Sequence, residues 1–315
     1  MNRKPSLLLL LANPRGFCAG VVRAIDALDT ALERFGPPIF VRHEIVHNPH
    51  VVSGFRERGA IFVGELDEVP DGARVMLSAH GVAPTVAAEA RRRGLRVVDT
   101  TCPLVTKVHR EVEHHVAHGR VVVVIGHHGH VEVIGTAGHA ADHAHHIVSS
   151  VDEANALPID SARDYAFVTQ TTLSFDETAE IVAALGARFP GIIGPARDDI
   201  CFATTNRQAA VKAIAPRCDA IIVIGGHQSS NSQRLVETAR SAGCRNAWLV
   251  EEPLEIDCGR LVGCATVGLT SGASTPETLV AAAIEELAKH FAIVTEAIGE
   301  SEAVAFRPVA VGALA

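Results

Sequence analysis

"NPRGFCAGV", residues 13–21, decides how this chain is read. Five leucines, Leu7–Leu11, come just before it, a short and wholly apolar run of the kind that forms a strand buried on both faces. After it, Val21, Ile25, Leu28, Leu32 and Phe35 recur at helical spacing until Gly36-Pro37 ends the run. Cys18 therefore stands where a strand and a Pro-Arg-Gly turn give way to an amphipathic helix. One unpaired cysteine is ordinarily a small buried apolar residue. Here the arrangement is repeated.

After Cys102, Pro103 occupies a helix first-turn position, and Val105, Val108, Val112 and Val116 lead to Gly119. After Cys201, "FATTNRQAAVKAIAP" has helix character and stops at Pro216. Each helix is followed by a β-branched strand running into a polar loop: "IFVRHEIVHN" from 39, "VVVVIGHHGHVE" from 121 and "AIIVIGGHQSSNS" from 220. A second strand and loop closes each third: "RVMLSAHGV" from 74, "YAFVTQTTLS" from 165 and "CATVGLTSGAS" from 264. Alternating strands and helices predict α/β units with small parallel sheets, which bind ligands beyond the carboxyl ends of their strands. The divisions expected are 13–100, 101–198 and 199–295, the last with strand 6–12, followed by a tail at 296–315. Packed about a pseudo-threefold axis, such units would turn three cysteines and six polar loops toward one cavity.

The composition sets limits on function. The 315 residues are 48% apolar and 20% charged, with a formal net charge of -8, which argues against a general nucleic-acid binder. Arg3 and Lys4 ahead of the leucines imitate a secretory signal, but the apolar run is too short and no small-x-small cleavage site follows. No stretch has the length of a membrane span, so the cytoplasm is the expected compartment. Seven cysteines without C-x-x-C pairing make no disulfide framework, in keeping with a reducing environment.

Cys18, Cys102 and Cys201 share a context that the remaining four cysteines lack. The positive end of a helix dipole favours thiolate over thiol, and thiolate is the form that binds metal. Three thiolates suit zinc completed by a fourth ligand or water, or an iron-sulfur cluster left one protein ligand short. The spacing alone does not choose between them.

The blocks "PRGFCAGV", "HEIVHN", "SAHGV", "DTTCPLVTKVH", "GHHGHVEVIGTAG", "TQTTLS", "DDICFATTNRQ", "GGHQSSNSQRL" and "TSGASTPE" lie in order between residues 13 and 277. Together they resemble the 4-hydroxy-3-methylbut-2-enyl diphosphate reductases of the non-mevalonate isoprenoid pathway. The resemblance implies a trefoil of three α/β domains around one [4Fe-4S] cluster per chain, with one iron lacking a protein ligand. It also implies that two electrons and two protons remove the allylic hydroxyl of a diphosphate substrate, giving isopentenyl and dimethylallyl diphosphate.

Carried over by motif, Cys18, Cys102 and Cys201 are the implied ligands. Glu132 is the implied proton-delivering carboxylate, with Thr171 relaying at the hydroxyl end and His130 completing the group. His47, His80, Ser229, Ser230, Asn231 and Ser274 are the implied diphosphate donors, and hydroxyl, amide, imidazole and helix-start N–H groups suit that task. The implied electron donor is a ferredoxin or flavodoxin, since no flavin or nicotinamide motif is visible. Arg91–Arg93 is the densest basic patch for such a partner.

Two departures stand out. Val131 replaces the family's usual proline before Glu132, and His139 replaces a glutamine within a histidine-rich stretch, 109–146, read as solvated. The tail after 295 matches no motif, and either covers part of the third domain or is disordered. Two other readings use the same residues: a non-redox metal-dependent hydratase or hydrolase with Glu132 as base, and a binding protein that senses iron or diphosphates.

Overall fold

The computed structural model describes residues 4–158 and 160–315; Arg3, read above with the leucine run, lies outside them. The first third contains β1 (Ser6–Ala12), α1 (Ala19–Phe35), β2 (Ile39–Arg42), α2 (Pro49–Glu57), β3 (Ala60–Val63), β4 (Arg74–Leu77), α3 (Pro84–Arg92) and β5 (Arg96–Asp99). The second contains α4 (Pro103–Ala117), β6 (Val121–Ile125), α5 (Val131–Ala137), β7 (His145–Val148), α6 (Val151–Ala156), β8 (Tyr165–Thr169) and α7 (Phe175–Arg188). The last contains α8 (Phe202–Ile214), β9 (Ala220–Ile224), α9 (Ser230–Ser241), β10 (Ala247–Val250), β11 (Thr266–Ser271), α10 (Glu277–His290) and β12 (Ala292–Ile298).

The strands form three sheets, ordered β10-β9-β11-β1-β12, β3-β2-β4-β5 and β7-β6-β8, and every pairing is parallel. The leucine run lies between β11 and β12. Its alternate residues serve two cores: Leu7, Leu9 and Leu11 pack with Leu279, Val280, Ala283 and Leu287 of α10, while Leu10 packs with Val211 of α8 and Leu235 of α9. β6 divides in the same way. Val121, Val123 and Ile125 meet Ile181 and Leu185 of α7, and Val122 and Val124 meet Val108 and Val112 of α4. A strand covered on both faces has no polar side to show, which is why these read as unbroken apolar runs.

The strands that sequence reading missed are β3, β5, β7, β10 and β12, all at sheet edges. "RVVD" and "HHIV" are four residues long and only partly buried, so neither alternation nor apolar content marks them. The chain after 295 continues β12 to Ile298, and further on Val311 and Leu314 of a 3-10 turn are buried. The histidine-rich stretch also departs from its solvated reading: His109 and His115 are each only 6% exposed.

Two compact units organise the chain. Of the described residues, the first comprises 4–21, 47–51 and 202–305, and the second 22–46, 52–158, 160–201 and 306–315. The chain leaves the first unit shortly after Cys18, returns to it at residues 47–51, and enters it again immediately after Cys201. Among the described residues, no helix is long and apolar enough to cross a membrane.

Candidate functional site

Cys18, Cys102 and Cys201 each directly precede a helix, at Ala19, Pro103 and Phe202. Their backbones share one interaction. Cys102 N–H donates to Ala79 O at 2.9 Å, Cys201 N–H to Thr171 O at 3.0 Å and Cys18 N–H to Ala273 O at 3.0 Å. Each acceptor lies two residues beyond the last residue of a strand, β4, β8 and β11 respectively. Every cysteine is thus pinned to the carboxyl end of a parallel sheet, where α/β folds place ligands. The sequence repeat predicted similar surroundings for the three cysteines but held no signal for this backbone link, because any residue can supply it.

All three are half-buried and none is in a disulfide. The Cys102 side chain does not cap its own helix. Among the other four cysteines, burial pushes the Cys218 thiol up to about 12 and also raises Cys244, Cys258 and Cys264. These four are held in the protonated form that binds metal poorly. Among the described residues, no three His, Cys, Asp or Glu side chains are gathered to hold a single metal ion. A cluster places no such demand, since each cysteine takes a different iron, so the donor set of Cys18, Cys102 and Cys201 fits it chemically.

In the second unit, Glu132 lies in the first turn of α5, only 3% exposed. Its Oε1 accepts the Thr171 N–H at 2.6 Å and its Oε2 the Thr171 hydroxyl at 3.1 Å. His130 is the N-cap of α5, its Nδ1 accepting the Glu132 N–H at 3.2 Å. That cap holds the helix start, with Val131 as the first helical residue. The His80 ring stands edge-on to His130 with centroids 6.2 Å apart, and His80 Nδ1 is 3.2 Å from Ser78 Oγ. Gly135 lets α5 approach this loop, since a Cβ there would come 3.0 Å from Gly81 O. The structure therefore brings His80, His130, Glu132 and Thr171 together, with Cys201 bonded to Thr171 through the backbone.

Asp199 also belongs to this arrangement, although sequence reading passed over it. Its buried carboxylate accepts the Thr169 N–H at 3.0 Å and pairs with Lys107 of α4 at 3.0 Å. Glu111 lies on the same side of Lys107, its acid pushed up to about 7 by burial and then by the Asp199 charge.

The first unit holds the remaining donors. Ser229 is the N-cap of α9; its Oγ accepts from Ser232 N–H at 3.3 Å and from the Ser232 hydroxyl at 3.0 Å. Asn231 Oδ1 accepts from Ala273 N–H at 2.9 Å, bracing the residue whose carbonyl holds Cys18. Ser274 gives its hydroxyl hydrogen to His47 O at 2.9 Å. Ser229, Ser230, Asn231 and Ser274 are all buried at the start of a twelve-residue helix or in the loop beside it, where the helix dipole favours an anion. The Arg91–Arg93 patch is largely neutralised: Arg92 pairs with Glu89 at 2.6 Å and Arg93 with Asp71 at 2.7 Å.

Comparison with known proteins places this arrangement in context. The LytB protein family matches residues 9–288. A protein of Paracoccus denitrificans named 4-hydroxy-3-methylbut-2-enyl diphosphate reductase is 57% identical over 281 residues, 89% of each chain. A protein of the same name from Ruegeria pomeroyi is 52% identical, covering 95% of this chain and 94% of its own. The solved structure of E-1-hydroxy-2-methyl-but-2-enyl-4-diphosphate reductase from Plasmodium falciparum is similar with a TM-score of 0.90 and 38% identity over 96% of each chain. A second solved reductase, described as the terminal enzyme of the non-mevalonate pathway, has a TM-score of 0.62 at 29% identity, covering 90% of this chain and 99% of its own.

Proposed function

Because this chain belongs to the LytB family, we infer that it is a 4-hydroxy-3-methylbut-2-enyl diphosphate reductase, an oxidoreductase that forms isoprenoid precursors by the non-mevalonate route. The substrate, two electrons and two protons yield water and either isopentenyl or dimethylallyl diphosphate. The observation that carries the reading is the buried Glu132 carboxylate bonded twice to Thr171, since loss of a C–O bond requires an acid within reach of the departing oxygen.

Cys18, Cys102 and Cys201 would hold a [4Fe-4S] cluster, as the donor chemistry at three helix starts supports. When bound, such a cluster supplies electrons and one iron free of protein ligands. The protein's own part is proton handling and anchoring. As a carboxylate, Glu132 takes the Thr171 hydroxyl hydrogen on Oε2. With a proton on Oε2, the same pair of oxygens carries the bond in the opposite sense, and the Thr171 hydrogen is released toward the substrate hydroxyl. His130 holds the helix start that aims Glu132.

The diphosphate would be bound by His47, His80, Ser229, Ser230, Asn231 and Ser274. Ser274 has given its hydrogen to His47 O, so it donates to a phosphate oxygen only after its hydroxyl turns. The divisions 13–100, 101–198 and 199–295 remain our reading of the domains, supported by the three sheets. A ferredoxin or flavodoxin would bring the electrons, in the cytoplasm.

A Mössbauer spectrum of anaerobically produced protein labelled with iron-57, with and without the allylic diphosphate, tests this reading. A four-iron cluster with one distinct iron whose signal shifts on adding substrate is expected. Failure to assemble a cluster under anaerobic reconstitution overturns it in favour of non-redox or sensing chemistry.

A further inference from the structure

The chain beyond residue 295 matched no sequence motif and lies outside the 9–288 span of the family match. In the structure its first part, residues 296–305, belongs to the first unit and runs beside the turn that leads to Cys18. Asn13 N–H donates to Ile298 O at 2.8 Å. The next residue, Gly299, has φ +89°, and a Cβ there would stand 2.4 Å from Asn13 O. Only glycine allows the strand end to lie this close to the turn.

Glu302 follows. Its carboxylate accepts from Asn206 Nδ2 at 2.9 Å and from Arg207 at 3.0 Å. The Arg207 side chain is 1% exposed and Glu302 13%, so the charge pair is removed from water. The second terminal nitrogen of Arg207 donates to Gly16 O at 2.8 Å. Gly16 N–H donates in turn to Ser271 Oγ at 2.9 Å. Two residues before Cys18, the backbone is therefore gripped on its carbonyl by Arg207 and on its amide by Ser271. A buried guanidinium holds such a position only while a carboxylate compensates it.

We propose that the C-terminal stretch is a latch on the Cys18 turn, in which Glu302 acts through Arg207 to fix Gly16 and so the aim of Cys18. Glu302 and Arg207 are positioning residues, and the inference rests on Cys18 being a cluster ligand. It extends the site past the segment that carries the family motifs. It also gives the tail a function separate from its packing.

Anaerobically reconstituted full-length protein is exposed to an iron chelator together with an alkylating reagent, and the labelling of each cysteine is followed by peptide mass spectrometry. In Glu302→Ala, labelling of Cys18 relative to Cys102 and Cys201 rises on the order of tenfold, as expected when the charge-assisted bond that holds Arg207 is lost, while buried Cys244 is unchanged. Glu302→Gln keeps an oxygen for Arg207 and shows a smaller rise that is still confined to Cys18. Wild-type labelling of Cys18 in both variants overturns the latch. So does equal acceleration at all four cysteines with a fallen Tm, which marks general destabilisation. Failure of the ligand reading has its own signature: Cys18 in the wild-type protein labels equally fast with and without iron.

Discussion

The carboxylate of Glu132 takes both hydrogens that Thr171 can give, the backbone N–H at 2.6 Å and the hydroxyl at 3.1 Å. Structure and chemistry meet in this pair. The N–H bond fixes the carboxylate in space, and in the proposed function the hydroxyl bond would provide a path for a proton.

Glu132→Gln keeps an oxygen acceptor for the Thr171 N–H and removes the transferable proton. Turnover falls by about 10²–10⁴-fold, the usual contribution of a positioned general acid, while KM and Tm stay near wild type. Steady-state kinetics alongside a thermal melt check this, and a kcat within a factor of a few of wild type removes Glu132 from proton delivery.

Thr171→Val separates the two bonds, since the backbone N–H remains and the hydroxyl is lost. The buried Oε2 of Glu132 is left without that donor, at a cost of about 1–3 kcal/mol in denaturant unfolding. Turnover drops as well, and Thr171→Ser restores it. Equal turnover in the Val and Ser variants would show that the hydroxyl carries no proton.

Asn231 braces Ala273 through its side-chain oxygen and, in the proposed function, serves the diphosphate through its amide nitrogen. Asn231→Asp retains the brace but brings negative charge to the anion site. Its KM for the diphosphate rises by more than that of Asn231→Ala, although Asp preserves the loop better. The reverse order, measured by substrate titration, would make Asn231 a purely structural residue.

His109 carries a pH dependence whose sign is fixed by its surroundings. Burial, and then the nearby His139 ring at 4.1 Å, lower it from 6.5 to about 3; Gly81 lies against its ring. The folded state thus prefers the neutral imidazole, whereas the unfolded chain takes up a proton below 6.5. The associated stability is complete above pH 6.5 and is lost progressively as pH falls toward 3. Urea unfolding of wild type and His109→Leu across that range shows a smaller loss in the variant, and parallel curves would contradict the assignment.

What the sequence disclosed follows from what leaves a local mark. The leucine run, the valine strands and the three cysteine-helix junctions were legible because burial on two faces and helical periodicity are written in residue type. The edge strands were not, since a four-residue strand such as "HHIV" with one partner needs little apolar content. Glu132, Thr171 and the residues proposed to bind the diphosphate were singled out through ordered motifs rather than periodicity. The carbonyls of Ala79, Thr171 and Ala273 that hold the cysteines, the Asp199 bond to Thr169 and the Arg207–Glu302 pair were invisible because tertiary contact creates them. The histidines misled for the same reason: α4 turns His109 and His115 inward, a fact no count of histidines contains.

The most direct measurement is the electron count of turnover. Reconstituted protein is supplied anaerobically with a reduced one-electron dye and the allylic diphosphate, and products are separated and quantified. The account predicts two dye molecules oxidised for each isopentenyl or dimethylallyl diphosphate formed, with none consumed by Glu132→Gln at comparable rate. A cluster-loaded protein that binds the substrate yet oxidises no dye, or that forms product without electrons, would contradict it.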